Sequence, residues 1–194
     1  MPSPVPLAAL ALLVSTPLPA GNLLENPGFE QNASRWDFFI PESSRDHGNE
    51  FVVVPAEGVG GSAAAKLTST VVSRCGLAQK NIPVTGWTRY RVTFWFKAAK
   101  GVEYKHGPIV RLNFRSSGEE SDTDYYVGLG GHTASDYKEV KRPNWLPTTW
   151  EKVEAVVESP VNAKALSLCF FSWGMKGSVY FDDLAVEKVA PETP

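Results

Sequence analysis

The residues after position 20 form short runs rich in Val, Phe, Tyr, Trp and Thr, and clusters of Gly, Pro, Asn and Ser separate these runs. Such runs predict β-strands, and no segment keeps a helical period over ten residues. The predicted strands are 22–30, 50–54, 63–69, 75–82, 90–98, 108–115, 150–158, 165–173 and 178–189, with a further short strand at 125–129. Many short strands without helices predict an all-β protein, a jelly-roll β-sandwich of two antiparallel sheets.

Three of these runs alternate strictly, with apolar residues on one face and aromatic or polar residues on the other. The outward residues are Trp95 in the run 90–98, Arg111, Asn113 and Arg115 in the run 108–115, and Phe171 and Trp173 in the run 165–173. The strand order of an eight-stranded jelly roll places these three runs side by side. We therefore expect their outward side chains to form one continuous surface.

Length and charge limit the functions that the chain can have. Its 194 residues suit a single domain, and 19 basic against 21 acidic residues give a net charge of −2. Without a basic field to follow phosphates, no nucleic-acid partner is expected. We also expect a monomer. Cys75 and Cys169 are assigned to opposite sheets, so no disulfide bridge is predicted between them.

The first twenty residues hold no charged side chain, and their apolar run at 7–14 ends in Ser, Thr and Pro. This pattern predicts a secretory signal peptide, cleaved after Ala20. The apolar run is far shorter than the roughly 20 residues that span a membrane, so no membrane insertion is expected. The predicted organisation is a signal peptide at 1–20, a jelly roll at 21–189 and a flexible tail at 190–194, in a secreted protein.

Three blocks of the chain carry a resemblance to a known family. They are NLLENPGFE at 22–30 followed by Trp36, the stretch from Gln79 through Trp87 and Tyr90 to VTFWFK at 92–97, and GSVYFDDL at 177–184. In this order they resemble the carbohydrate-binding modules of families four, nine and twenty-two, which have a galactose-binding-like jelly-roll fold. The resemblance implies a non-catalytic module whose partner is a polysaccharide or an oligosaccharide.

The resemblance also implies one structural calcium ion where the first and last strands meet. The matching ligands are the Gly28 carbonyl, Glu30 and Asp182, and the loop 57–61 offers Glu57 and the carbonyl of Gly60. Carboxylates and backbone carbonyls from separate segments are the ligands that calcium prefers. Whether Asp182 or Asp183 is the ligand stays open, as does the simpler role of these carboxylates in capping turns.

The outward surface suits a sugar. Pyranose rings have flat C–H faces edged by hydroxyl groups, which match an aromatic ring flanked by fixed hydrogen-bonding groups. We predict that Trp95 stacks on the ring, with Arg111, Asn113, Arg115, Phe171 and Trp173 around it. The two arginines also suit the carboxylate of a uronic acid. The alternative is that the segment 116–146 folds over this surface and buries Trp95 and Phe171; whether the segment covers or extends the surface stays open.

No catalytic residues are predicted, because the three histidines are scattered and no G-x-S-x-G motif is present. Two other functions stay open. One is an exported structural or adhesion sandwich without sugar specificity. The other is a small jelly-roll enzyme that degrades polysaccharide with acidic residues such as Glu119, Glu120, Asp122 and Asp124.

Overall fold

The computed structural model describes residues 21–116, 123–142 and 144–190. Nine strands and two 3₁₀ turns, Glu42–Ser44 and Val59–Gly61, are the regular elements of these ranges. The strands are β1 Asp37–Phe39, β2 Glu50–Val54, β3 Ala64–Pro83, β4 Arg89–Ala98, β5 Glu103–Arg115, β6 Thr123–Gly128, β7 His132–Ala134, β8 Glu151–Glu158 and β9 Ala165–Lys188. The predicted signal peptide and the end of the tail lie outside the described residues.

Two long antiparallel strands, β3 and β9, run through the whole molecule. Their ladder is irregular between Ser69 and Ser73, and opposite this point Gly174 and Gly177 have φ of 65° and 111°, values that favour glycine. The strands turn a corner here, so each contributes to two layers. Both predicted strands 63–69 and 75–82 therefore belong to β3, and 165–173 and 178–189 belong to β9.

The corner divides the strands into two groups. Layer one contains β2, the first part of β3, the last part of β9, β4 and β8. Layer two contains β1, the last part of β3, the first part of β9, β5, β6 and β7. All of these pairings are antiparallel, as expected for a jelly roll.

Aromatic side chains fill the space between the layers. Phe170 in layer two and Phe181 in layer one have ring centroids 4.8 Å apart, although a straight strand would separate them by about 36 Å. Phe94 of β4 meets Phe170 at 5.4 Å in an edge-to-face contact. Since all three rings are almost fully buried, the two layers pack face to face. The predicted all-β jelly-roll sandwich is confirmed.

The predicted neighbours of β4 were wrong. β5 does pair with the first part of β9, but β4 pairs with β8 and with the last part of β9, in the other layer. The reason is the corner in β9, which carries the chain from one layer to the other within a single strand. Trp95 is therefore not on the same surface as Arg111.

The segment 22–30 is also not a strand. Only Asn22 forms an isolated bridge, with Glu187, and positive φ angles at Asn26 (47°) and Phe29 (59°) make the segment turn. Phe29 is fully buried, and its ring centroid lies 5.3 Å from that of Trp36. The turns of the segment 22–30 therefore cover one end of the sandwich core.

The cysteines are unbridged, as expected, but for a different reason. Cys75 and Cys169 lie on neighbouring strands of the same layer, where Cys75 pairs in register with Ser172 and Cys169 with Ala78. Cys75 points into the core, whereas Cys169 lies on the outer surface. Within the described residues no helix is long and apolar enough to cross a membrane.

Candidate functional site

The outer surface of layer two gathers polar and aromatic side chains from four strands. Across the register these are Arg111 and Asn113 of β5, Ser167 and Cys169 of β9, and Asp124 and Tyr126 of β6. Phe171 and Trp173 continue the surface along β9, and Phe39 of β1 borders it. Because alternate residues of a strand share a face, these nine side chains form one surface, which we call the groove face.

A groove with a volume of about 370 Å³ crosses the groove face. Its lining residues are Asp37, Phe39, Ala78, Lys80, Arg111, Asn113, Ser167, Leu168, Cys169 and Phe171. Phe39 forms one wall of the groove, and its ring contacts that of Phe171 edge-on, with centroids 5.3 Å apart. The Phe39 ring also lies over Gly76. A side chain at position 76 would place its Cβ only 2.7 Å from this ring. Glycine at position 76 therefore lets the Phe39 ring lie against the sheet.

Asp124 organises the polar wall of the groove. Arg111 donates from Nε and Nη2 to the two Asp124 oxygens at 3.0 and 2.9 Å, and Asn113 Nδ2 donates at 2.7 Å. The Tyr126 hydroxyl donates at 3.3 Å. The hydrogen bonds and charge of Asp124 raise the pKa of Arg111 against the opposing effect of burial. Four donors that share one carboxylate hold Arg111 and Asn113 in fixed orientations.

Arg115 lies further along β5 and donates from Nη2 to Asn81 Oδ1 at 3.1 Å and to Ser167 Oγ at 2.7 Å. Its Nε is buried and has no hydrogen-bond partner among the described residues. Arg115 therefore borders the groove as a cation whose hydrogen-bond partners among the described residues are neutral, whereas Arg111 is neutralised by Asp124.

Aromatic rings continue from the groove along β9. Phe171 and Trp173 have ring centroids 5.9 Å apart, and the Tyr137 ring lies 4.1 Å from that of Trp173. Arg74 lies over the Trp173 ring at 5.0 Å, within the range of a cation–π contact. Trp173 is thus held between two neighbours and is half-buried, and Phe171 is only 8% exposed.

The described part of the segment 116–146 both extends and borders the groove face. β6 and β7 add two strands to the edge of layer two. After β7 the chain turns back over the sheet. The Val140 side chain then packs against Gly128, in the space that a Cβ at position 128 would take, and the Tyr137 ring contacts that of Trp173. Residues 117–122, which include Glu119, Glu120 and Asp122, lie outside the described residues.

Five of the six predicted sugar-binding residues lie on or beside this surface: Arg111, Asn113, Arg115, Phe171 and Trp173. Trp95 does not, because it lies in layer one, paired with Lys152 of β8 and Asp182 of β9. Sequence reasoning missed Phe39, Asp124, Tyr126 and Tyr137 as members of the surface. The predicted short strand at 125–129 overlaps most of β6 Thr123–Gly128, and the alternation of Asp124 with Tyr126 was the available signal that these two side chains share a face.

Asp182 is buried at the end of the sandwich, where the family resemblance implies calcium. Its Oδ2 accepts from the Val59 amide at 2.7 Å and the Ser62 hydroxyl at 2.8 Å, and its Oδ1 accepts from the Asp183 amide at 2.7 Å. Burial raises the pKa of Asp182 despite these donors. Asp182 therefore anchors the turn Val59–Gly61, which contains Gly60.

The predicted calcium ligands are only partly gathered. A Cβ on Gly28 would lie 3.4 Å from Asp183 Oδ1 and 3.7 Å from Asp182 Oδ1, and the charge of Glu30 adds to burial in raising the pKa of Asp183. Glu57 is drawn away by Lys97, with Nζ 3.2 Å from Oε2. No group of three or more His, Cys, Asp or Glu side chains in the described ranges is arranged to hold a metal ion. The fit is partial, and calcium stays a prediction.

Comparison with known proteins is informative only at the level of structure. No family model matches the chain, and no curated protein matches its sequence. The xylan-binding family 22 module CBM22-2 of Xyn10C from Paenibacillus barcinonensis is 16% identical with a TM-score of 0.55, and the match covers 84% of this chain and 98% of that one. A family 4 module is 15% identical with a TM-score of 0.57, over 85% and 99% of the two chains.

A longer protein shares the same fold in one part. The enzymatically active domain of tailspike protein 4 from bacteriophage CBA120 is 14% identical with a TM-score of 0.61, and the match covers 87% of this chain. The chain spans only 21% of the length of that protein. Taken with the two complete modules, these matches show that the chain has the jelly-roll fold of the carbohydrate-binding modules of families 4 and 22.

Proposed function

We propose that the chain is a secreted, non-catalytic carbohydrate-binding module that binds an oligosaccharide or a polysaccharide chain in the groove of layer two. The observation that carries this proposal is the pairing of an aromatic wall with a fixed polar wall across one open groove. Phe39 forms the first wall, and Arg111, Asn113 and Asp124 form the second.

The chemistry of the two walls suits a sugar ring. An aromatic ring packs against the C–H face of a pyranose, and the remaining N–H groups of Arg111 are donors for its hydroxyl groups. The Asp124 contacts pre-orient Arg111, so little side-chain entropy is lost when a ligand binds. Phe171 closes the floor, and we assign Trp173 and Arg115 to the two ends of the groove.

The fold supports the same assignment. The structurally similar Xyn10C module of Paenibacillus barcinonensis is a xylan-binding domain. Xylo-oligosaccharides are therefore the first probes to use, together with cello- and galacto-oligosaccharides, because a shared fold does not fix which sugar is bound.

Matched arginine variants test the groove. Arg111→Ala removes the arginine that Asp124 holds in the groove, whereas Arg91→Ala removes an arginine of layer one, whose Nε lies 3.3 Å from Glu154 Oε1. We expect Arg111→Ala to lose at least about tenfold in affinity for the sugar that the wild type binds, which corresponds to about 1.4 kcal/mol. Arg91→Ala should bind like the wild type.

Isothermal titration calorimetry on folded variants provides the measurement. Equal affinities of Arg111→Ala and the wild type would contradict the proposal. A wild type that binds no glycan of a broad panel would instead favour the structural or adhesion function.

A further inference from the structure

A second hollow adjoins the groove at its Trp173 end, with a volume of about 340 Å³. Its lining includes Ser43, His47, Arg74, Lys105, His106 and Trp173. Trp173 follows Phe171 on the same face of β9, so the hollow continues the line of the groove. From Cys169 in the groove to Trp173 in the hollow, the strand spans about 13 Å. A ligand that fills both must be longer than one sugar ring.

The hollow is lined by positive groups that no carboxylate of the described residues neutralises. Arg74 and Lys105 have no acidic partner within 4 Å among the described residues, and no Asp or Glu lines the hollow. Glu42 and Asp46, next in the chain to the lining residues Ser43 and His47, are exposed and do not line the hollow. Glu103, two residues before Lys105, pairs with Lys176 at 2.9 Å. This differs from the groove, where Asp124 neutralises Arg111.

Unsatisfied polar atoms mark the same place. His106 lines the hollow, and its Nδ1 is buried without a hydrogen-bond partner in the described part of the chain. The same is true of Nε of the nearby Arg142. Burial and the positive charges of Arg142 and Lys105 lower the pKa of His106. An unpartnered buried polar atom costs free energy that a bound ligand can recover.

We propose that this hollow binds an anionic substituent of the glycan, a uronic acid carboxylate or a sulfate ester, while the sugar chain lies in the groove. The inference rests on the proposed function and names its substrate class. Arg74 and Lys105 supply the charge, and Trp173 holds the Arg74 guanidinium in place by the contact at 5.0 Å. The sequence suggested that Arg111 and Arg115 bind the carboxylate of a uronic acid. The structure leads us to assign that carboxylate to Arg74 and Lys105 instead.

The test compares polymers that share a xylan backbone and differ in their anionic substituents: linear xylan, glucuronoxylan and sulfated xylan. We expect the two acidic xylans to bind about five- to tenfold more tightly than the linear one at low salt, because two partly exposed positive charges attract the anionic groups. This difference in affinity should shrink at high salt, where the charges are screened. The glucuronoxylan and sulfated arms show which anion is preferred. Equal affinity for all three polymers overturns the inference and leaves the proposed function standing.

Charge-removing variants locate the effect. Lys105→Gln, at an exposed position, should lose part of the preference for the acidic xylans, and Arg74→Gln with Lys105→Gln should lose all of it. Affinity for linear xylan should be unchanged in Lys105→Gln. Because Arg74 also contacts Trp173 at the end of the groove, the double variant is judged by the ratio of its affinities for acidic and linear xylan. Lys188→Gln, an exposed lysine at the end of β9 in layer one, is the matched control and should behave like the wild type. A preference that survives in the double variant overturns the inference, whereas a wild type that binds none of the three polymers and no glycan of the broad panel would overturn the proposed function.

Discussion

Replacing Asp124 by asparagine removes the charge that holds Arg111 and Asn113 in the groove. Asp124 accepts hydrogen bonds from Arg111 Nε, Arg111 Nη2, Asn113 Nδ2 and the Tyr126 hydroxyl. An asparagine keeps one acceptor oxygen and turns an amide group toward the remaining donors, so the bidentate contact is lost. Hydrogen bonds to charged groups contribute about 1.5–3 kcal/mol each when buried.

The magnitude must be reduced for solvent, because the Arg111 and Asp124 side chains are 35% and 24% exposed. With two such bonds lost and water replacing about half of their value, we expect a loss of about 2 kcal/mol in the free energy of unfolding. For a domain of this size the loss corresponds to a fall in Tm of about 4–8 °C. Urea unfolding and thermal melting at pH 7 and low salt measure both quantities.

The control is Glu154→Gln, the same charge change at an exposed pair of layer one. Glu154 lies 3.3 Å from both Arg91 and Lys152, and all three side chains are about half exposed, so we expect a loss of no more than about 0.5 kcal/mol. If Asp124→Asn is no less stable than Glu154→Gln, the groove is not held by this network and the reasoning fails.

Three further predictions concern the core, the carboxylate cluster and pH. Phe170→Ala should cost about 3–5 kcal/mol, because the ring is 1% exposed between the layers, and urea unfolding that shows a loss below about 1.5 kcal/mol would contradict this packing. A calcium chelator should lower Tm at pH 7, and this effect should shrink as the pH falls, because burial raises the pKa of Asp182 and of Asp183 and a protonated carboxyl group binds calcium poorly; an unchanged Tm at pH 7 counts against calcium. The pKa of His106 is lowered in the folded state, so the unfolded state binds the proton at a higher pH than the folded state does. The free energy of unfolding should therefore fall as the pH drops from about 7 through 6.5, and His106→Gln should remove that part of the pH dependence. Identical pH profiles of the wild type and the variant in urea unfolding would refute this prediction.

The sequence predicted which residues face outward, because alternation along a strand is a local property. Arg111, Asn113 and Arg115 follow from a period of two within β5, and Phe171 and Trp173 follow in the same way within β9. The pairing of β5 with β9 was also correct. Three of these five residues, Arg111, Asn113 and Phe171, line the groove.

The sequence did not predict which part of a strand pairs with which neighbour. β9 turns from one layer into the other within 24 residues, and no local pattern shows that its last part, rather than its first, pairs with β4. Trp95 was misplaced for this reason. Phe39 and Tyr137 reach the groove face from short or irregular segments, where position depends on long-range packing rather than on periodicity.

Asp124 shows a similar limit at the level of a single residue. The predicted short strand began at 125, one residue too late to include it, since strand ends are set by pairing as much as by propensity. The register of β5 with β6 places Asp124 opposite Asn113 and next to Arg111, which turns an acidic loop residue into the centre of the polar wall.

The most direct test of sugar binding in the groove uses the indole N–H signals of the six tryptophans in a heteronuclear NMR titration. The titrant is the oligosaccharide that binds most tightly in the panel. We predict that the indole signal of Trp173, assigned with Trp173→Phe, shifts on saturation while that of Trp95, in the other layer, does not. A shift at Trp95 with Trp173 unchanged would place the ligand on layer one and contradict the account.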